Sequence, residues 1–481
     1  MKNIKIILFV LLIEIITNYG NNFLVFFLLL VTLLMVLSNV KKNFKYLILI
    51  FLISDDQSRF LTDAISNPVY SIYTIPNLSM VLTIILFIFS FYIYFIRRKI
   101  IFRELTLLIN FFKFIVCVGL FFGIFNLFNY TRIVIQDLSY FINTFTFLII
   151  TYHIYSFEFK SQEQSVLRNY FRELLSSIIT AISVKYLILL ILFILGNGEI
   201  VGNMVKVTGE SGKSLSPLYA SIFLLLYIFN KNKERFLYLF MFLVSILITL
   251  SVASRSTLVL GVISLLIVIL ISNISTFKKQ YFIVYSVLGL GLIIFVIESF
   301  QPGAMSNVLW KLGSINEIDL NARKHSSLSA LTRAIEVLNI YYMHIENYTM
   351  VFGSGFGSYF VDTYVPFPFD LYGKHAYKDE WIMNRTFFKP HTTPIFLFLK
   401  IGLGGLIYYY GVYIKIYINL IKKIKLIPIS IEYCFALAIL PNMFIIITKN
   451  FSSKMQIALG IYMAILFLST KIYERRNKQN T

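Results

Sequence analysis

The chain is a succession of unbroken apolar runs joined by short polar connections. Phe23–Ser38 (FLVFFLLLVTLLMVLS) and Ser214–Phe229 are representative. Strands of a membrane barrel alternate apolar and polar residues; these runs do not, and they read as helices. About fourteen runs approach the roughly 20 residues that cross a bilayer, near 4–19, 22–39, 44–53, 78–96, 105–128, 138–157, 172–196, 214–230, 235–252, 256–272, 280–298, 393–419, 429–448 and 454–470. The third is short and suits a re-entrant segment. The first reads as a spanning helix and not as a removable signal, because Tyr19-Gly20-Asn21-Asn22 is a poor cleavage site and a second run follows at once.

One stretch interrupts the pattern. Residues 299–391 are polar, with eight basic and eight acidic residues, both tryptophans and four of the five histidines. Connections this long are functional or disordered, and Trp310, Trp381 and the many tyrosines argue for order. Within it, Ala330–His344 has helical apolar spacing through Leu331, Ile335, Leu338 and Tyr342, which predicts a helix lying on the membrane surface. The expected organisation is one integrated membrane domain: spans over 1–298, a large partly helical loop over 299–391, and further spans with a tail over 392–481.

Composition sets the solvent. The chain is 58% hydrophobic and 14% charged, against about 25% charged for a soluble domain. A globule needs a wettable surface, so most of this surface faces lipid. In lipid, backbone groups must be satisfied internally, which selects helices here. The expected fold class is an all-α polytopic membrane protein of about 12–14 transmembrane helices with one large extracytoplasmic loop. Cys117 and Cys434 sit inside apolar runs and read as small buried hydrophobes.

Net charge is +20, and its distribution gives it meaning. Threading fourteen spans puts 24 basic residues at the termini and on one set of connections, among them Lys41, Lys42, Lys45, Arg97, Arg168 and Lys422. The alternate short connections hold seven. The excess of Lys and Arg marks the cytoplasmic side, so both termini are expected in the cytoplasm and the long loop outside. The charge is an orientation signal, and no nucleic-acid partner is expected.

Walker, dinucleotide, zinc-spacing and GxSxG motifs are absent. The run Gly353-Ser354-Gly355-Phe356-Gly357 follows no strand–helix unit and reads as a tight turn where backbones pack closely. Arg255, in Ala253-Ser254-Arg255-Ser256-Thr257, lies at an outer membrane boundary and reads either as snorkelling to the interface or as a fork for phosphate oxygens. His391, in Lys389-Pro390-His391-Thr392-Thr393-Pro394, stands where the loop re-enters the membrane; it is either structural or a base for a hydroxyl proton. Lys206 sits in an outer connection before span eight and Arg333 opens the surface helix; taken by themselves they read as a solvated loop residue and a solvated helix face. Lys113, Lys185, Lys400 and Glu14 lie in apolar runs without charge-pair spacing.

In order along the chain, a Ser-Arg-Ser at an outer boundary, a large outer loop with FGSGFGSY, and PHTTPIFLFLKIGLGGL entering the next span together resemble the O-antigen ligase and polymerase superfamily. The resemblance covers about 200–420 and is one of hydropathy alone before that. It implies a glycosyltransferase that moves glycan from an undecaprenyl-pyrophosphate carrier to an acceptor hydroxyl, on the outer face of a bacterial cytoplasmic membrane. It implies no cofactor and no metal. It assigns pyrophosphate binding to Arg255 and Arg333, with Lys206 nearest to a further family arginine, and a catalytic role to His391. Trp310, Trp381 and Tyr364 are expected to stack on sugar faces.

The preferred expectation is a polymerase of surface-polysaccharide repeat units, O-antigen or capsule. Its expected partners are undecaprenyl-pyrophosphate-linked oligosaccharide, membrane lipid, a chain-length regulator and a flippase. Two alternatives stay open: a ligase using the same chemistry on another acceptor, and a lipid-linked oligosaccharide flippase. A flippase should show two similar halves and short loops, which this chain does not display.

Overall fold

A computed structural model describes residues 2–19, 21–54, 72, 78–96, 103–156, 163–195, 200–230, 232–252, 255–272, 280, 291, 295, 299, 325–367, 377–448 and 452–480. The apolar runs form α1 (Lys2–Tyr19), α2 (Asn22–Ser38), α3 (Val40–Ile53), α4 (Leu78–Ile96), α5 (Arg103–Phe122), α6 (Ile124–Asn129), α7 (Thr131–Tyr155), α8 (Glu163–Leu195), α9 (Ile200–Phe229), α10 (Arg235–Val252) and α11 (Arg255–Ile271). After them come α12 (His325–Glu346), α13 (Asp379–Met383), α14 (Thr393–Ile424), α15 (Ile431–Thr448) and α16 (Ser453–Asn480). Asn side chains start two early helices: Asn21 accepts the Leu24 N–H at 2.9 Å, and Asn39 accepts the Lys42 N–H at 3.1 Å. Among the described residues no β-strand forms, only an isolated bridge between Phe360 and Phe387. Among the described residues, six helices, α5, α7, α8, α14, α15 and α16, contain segments long and apolar enough to cross a membrane. The chain is an all-helical, multi-pass membrane protein.

Several expected spans change character. The third run is α3, and Leu47–Ile53 are all buried. A helix apolar on every side belongs in the interior, and α1, α2, α7, α8 and α16 surround it. The fifth run divides at Gly123 into α5 and α6. The eleventh, 280–298, lies outside the described residues apart from isolated positions. The connection holding Lys206 is helical, because α9 already begins at Ile200.

The core is built on α7, α15 and α16. Gly460 lets α16 approach α7 closely: a Cβ there would stand 2.5 Å from the Thr144 carbonyl, the small-residue contact by which membrane helices pack. Beside it Thr144 donates to the Gln456 Oε1 at 2.7 Å. Ion pairs tie helix ends together at one end of the bundle. Lys45 of α3 meets Glu173 of α8 at 3.2 Å, Arg172 of α8 meets Glu432 of α15 at 2.7 Å, and Lys423 of α14 meets Glu104 of α5 at 2.8 Å. These lysines and arginines belong to the connections that carry the positive charge in the sequence. The charges that looked scattered also find partners, Lys185 with Glu14 at 3.4 Å and Lys400 with Asp137 at 2.7 Å.

At the opposite end the glycine-rich segment is threaded into a break in α14. Gly402 there has φ 67 and ψ −173, so the helix ladder stops. The N–H groups of Leu403 and Gly404 donate instead to the carbonyls of Met350 and Val351, at 2.8 and 2.9 Å. The freed carbonyls of Leu399 and Lys400 accept from Ser354 and Gly355, at 3.0 and 2.9 Å. On its other side the segment touches α5, where the Phe356 N–H donates to the Gly119 carbonyl at 2.8 Å. The backbone groups of Leu399, Lys400, Leu403 and Gly404 are thereby paired across the break, as irregular backbone beside apolar helices requires. The glycine run is the close-packing turn expected of it.

Gly355 is the tightest point. Its φ is +79, and a Cβ would lie 2.1 Å from the Gly123 nitrogen. Gly355→Ala is expected to destabilise by at least about 1–3 kcal/mol from overpacking, with a left-handed backbone penalty of about 1–2 kcal/mol added. Gly411→Ala, where nothing lies within 4 Å, should be neutral or stabilising by about 0.5–1 kcal/mol. Thermal unfolding of the two purified variants in detergent checks this; equal midpoints would show that the close approach has no structural weight.

Candidate functional site

The site grows from the buried face of α12. That helix exists where the sequence predicts one, but its faces differ from expectation. Leu331 and Ile335 are buried, whereas Leu338 and Tyr342 point outward. The inward stripe is Thr332, Glu336, Asn339, Ile340, Met343 and His344, at the i, i+4, i+7 spacing of one helix face. Its polar members are anchored. Asn339 donates to the Val365 carbonyl at 2.8 Å and accepts the Val365 N–H at 2.9 Å. The His344 ring contacts the Thr349 hydroxyl at 2.7 Å and the Phe398 carbonyl at 2.9 Å. Burial holds the His344 imidazole below its ordinary value, against the opposing pull of the Phe398 carbonyl. A small core of Phe360, Tyr377, Phe387, Ile395 and Leu399 fills the space between α12 and α14.

Glu336 is fully buried. A carboxylate in such a place needs donors on its oxygens, and three converge. The His391 Nδ1 lies 2.5 Å from Oε1, the His391 backbone N–H lies 3.2 Å from both oxygens, and the Tyr377 hydroxyl donates to Oε1. The Tyr377 ring stands edge-on to the imidazole, with centroids 4.9 Å apart and planes at 78°. Burial raises the Tyr377 phenol well above its usual value, and the Glu336 carboxylate raises it further. Tyr377 therefore stays a hydrogen-bond donor. The His391 side chain remains 28% exposed, so its carboxylate partner is inside while part of the ring is open. His391 sits directly before the Thr392 cap of α14, whose first turn carries Pro394, a residue preorganised for a helix start.

Arg333 is one helical turn before Glu336 on α12, close enough in sequence for the two to be surface neighbours. Its Nε is buried and has no hydrogen-bond partner among the described atoms. Such a guanidinium nitrogen has capacity for an anion. Arg255 begins α11, and Lys206 lies in α9; both side chains fall outside the described residues, as does Trp310. Trp381 is half-buried, with Lys378 over its ring at 5.2 Å. Tyr364 is exposed and donates to Glu346.

A second charged group underlies the first. The Asp137 carboxylate receives Lys400 Nζ at 2.7 Å and the Gly357 N–H at 2.8 Å, and Lys400 also donates to the Ser358 carbonyl at 2.6 Å. The pair fastens the glycine segment to α7 and α14.

Of the predicted site residues, His391 is thus brought to the Glu336 carboxylate, and Arg333 stands three residues before that carboxylate on the same helix. Sequence reasoning missed Glu336, Tyr377 and Asp137 as functional candidates. The available signal was a polar stripe, Thr332, Glu336 and Asn339, at helical spacing beside the apolar one. The whole lies at the bundle end away from the Lys45, Arg172 and Lys423 ion pairs, since α14 starts at this site and carries Lys423 in its last turn.

Fold and site together define a class: a multi-pass helical membrane protein with a histidine–carboxylate–tyrosine group at one end. No protein-family model, curated protein or solved structure matches the chain.

Proposed function

We propose that the chain is a membrane glycosyltransferase that joins polyprenyl-pyrophosphate-linked oligosaccharides of a surface polysaccharide, on the outer face of a bacterial cytoplasmic membrane. The observation that carries the reading is the half-open His391 held by the buried Glu336. The carboxylate takes the Nδ1–H and leaves Nε2 free to accept the proton of an acceptor hydroxyl. That oxygen then bonds to the sugar's anomeric carbon as the carbon–pyrophosphate bond breaks. Charge grows on the departing pyrophosphate, and Arg333, with its unpaired Nε, supplies a preorganised donor for it. Arg255 and Lys206 are further ligands proposed from the family resemblance. The excess of basic residues at the other end of the bundle supports an outward-facing site.

Deletion of the gene followed by gel separation of surface glycan tests this reading. A polymerase deletion leaves single repeat units on the surface lipid or carrier. A ligase deletion accumulates long chains on the carrier. Single units trapped inside the cell would replace the transferase by a flippase.

Arg333→Lys keeps a charge and loses the planar fork. It is expected to weaken carrier use by about 10–100-fold, the equivalent of one charge-assisted hydrogen bond of roughly 1.5–3 kcal/mol, mainly in KM. Titration of carrier-linked substrate in proteoliposomes reads this, and an unchanged KM would remove Arg333 from the pyrophosphate site.

A further inference from the structure

The helix that buries Glu336, Asn339 and His344 presents apolar and aromatic side chains outward. Leu338, Tyr342 and Ile345 are 38%, 44% and 48% exposed. A water-facing helix has the reverse polarity. The outward surface continues past the end of α12. Tyr348, in the left-handed conformation, is 95% exposed, and Phe352 follows at 47%.

From there it runs without a gap onto the bundle. The Phe352 ring stacks on Phe122 at the end of α5, with centroids 5.4 Å apart and planes at 11°. The chain passes directly from α5 into α6, a six-residue helix with no buried residue. There Phe125 is 81% exposed and Phe128 82%. Asn126 of α6 donates to the Phe356 carbonyl at 3.1 Å, fixing α6 to the same segment. Lower on α5, Phe114 and Phe121 are exposed on an apolar membrane-crossing helix. The apron is therefore an extension of surface that lipid already covers. Tyrosines at its margin suit the headgroup region, where an aromatic ring meets apolar chains and its hydroxyl stays wet.

We infer that α6, the turn at Phe352 and the outward face of α12 are seated in the bilayer interface and covered by lipid. α12 then divides membrane from protein, with acyl chains and headgroups on one side and the Glu336 carboxylate on the other. The His391 site accordingly opens at headgroup depth. This placement does not depend on which reaction the site performs.

Fluorescence quenching in nanodiscs tests it. In the full chain carrying Cys117→Ser (Cys434 is buried), single substitutions Leu338→Cys, Tyr342→Cys and Phe125→Cys are labelled with bimane. Glu380→Cys, on the exposed acidic α13, provides the aqueous reference. The quenchers are phosphatidylcholine bearing a doxyl group near the headgroup, and iodide in the buffer. Doxyl quenching at the three apron positions should exceed iodide quenching by at least about twofold, as for a segment buried in the headgroup–acyl boundary, and Glu380→Cys should show the reverse. Iodide quenching equal to the reference would put the apron in water. Protection from both quenchers would mean that protein covers it, a second copy included. Either result overturns the inference.

Discussion

Under the proposed transferase reading, His391→Ala is expected to leave the protein in the membrane at its normal level and to lower glycan transfer by about 10²–10⁴-fold, the contribution of a positioned general base. The residue is half-open and makes its hydrogen bonds through Nδ1 and its backbone N–H, so the fold loses little. The backbone donor stays on Glu336 in the variant, and the Tyr377 hydroxyl stays as well. Glu336 responds differently, because it is buried under three donors. Glu336→Ala strands the His391 and Tyr377 groups, and each buried donor left without an acceptor costs about 1–3 kcal/mol; both assembly and transfer should fall. Glu336→Gln retains an acceptor oxygen but gives up the charge. Transfer should drop by roughly 10–100-fold, as for loss of a charged hydrogen-bond partner, with the protein still assembled. Chain-length profiles of surface glycan, normalised to membrane-inserted protein, give the comparison. Wild-type long chains from His391→Ala would end the proposed mechanism. A well-assembled but inactive Glu336→Gln would leave His391 needing a charged partner and not merely an acceptor.

Lys400→Met should destabilise the whole bundle by about 3–5 kcal/mol, the cost of leaving one partner of a buried ion pair uncompensated. Lys400 is 0% exposed and Asp137 is 5% exposed, so water cannot take the place of the missing charge. Asp137→Asn should cost a similar amount from the other side. The double substitution Lys400→Met with Asp137→Leu should recover part of the loss, because an apolar pair of similar volume often matches a buried ion pair. Recovery stays incomplete, since the Gly357 N–H and the Ser358 carbonyl would both lose their partners. Thermal unfolding of the four proteins in detergent closes a double-mutant cycle, in which the coupling measures the pair. Additive effects would show that the two charges act independently and that the glycine segment is held by its backbone bonds alone.

The candidate site was legible in part. His391 could be singled out because it stands between prolines at the start of an apolar run, and Arg333 because it opens a predicted helix. Their common partner could not. Glu336 is one of eight acidic residues in 299–391, and nothing local marks it as buried. Its position follows from α12 turning its polar stripe inward, which apolar spacing alone misread. Leu331, Ile335, Leu338 and Tyr342 form a plausible stripe, but the fold buries the first two and leaves the others exposed. Asp137 was missed for a related reason. It lies 263 positions before Lys400 in the numbering, so no spacing rule connects them. The Gly402 break brings Lys400 and the glycine segment to α7.

The amino-acid sequence by itself determined that this is a helical membrane protein and where its apolar helices run, because lipid leaves helices as the way to satisfy the backbone in unbroken apolar runs. It also separated a positively charged set of connections from the rest, since that signal depends only on counting along the chain. Tertiary structure alone decided which buried charges pair, which face of α12 turns inward, and that a glycine segment completes a broken helix. Those outcomes depend on which distant segments share a low-dielectric interior, where an unpaired polar group is costly. Here that cost is met by joining His391, Tyr377 and Glu336 at one point.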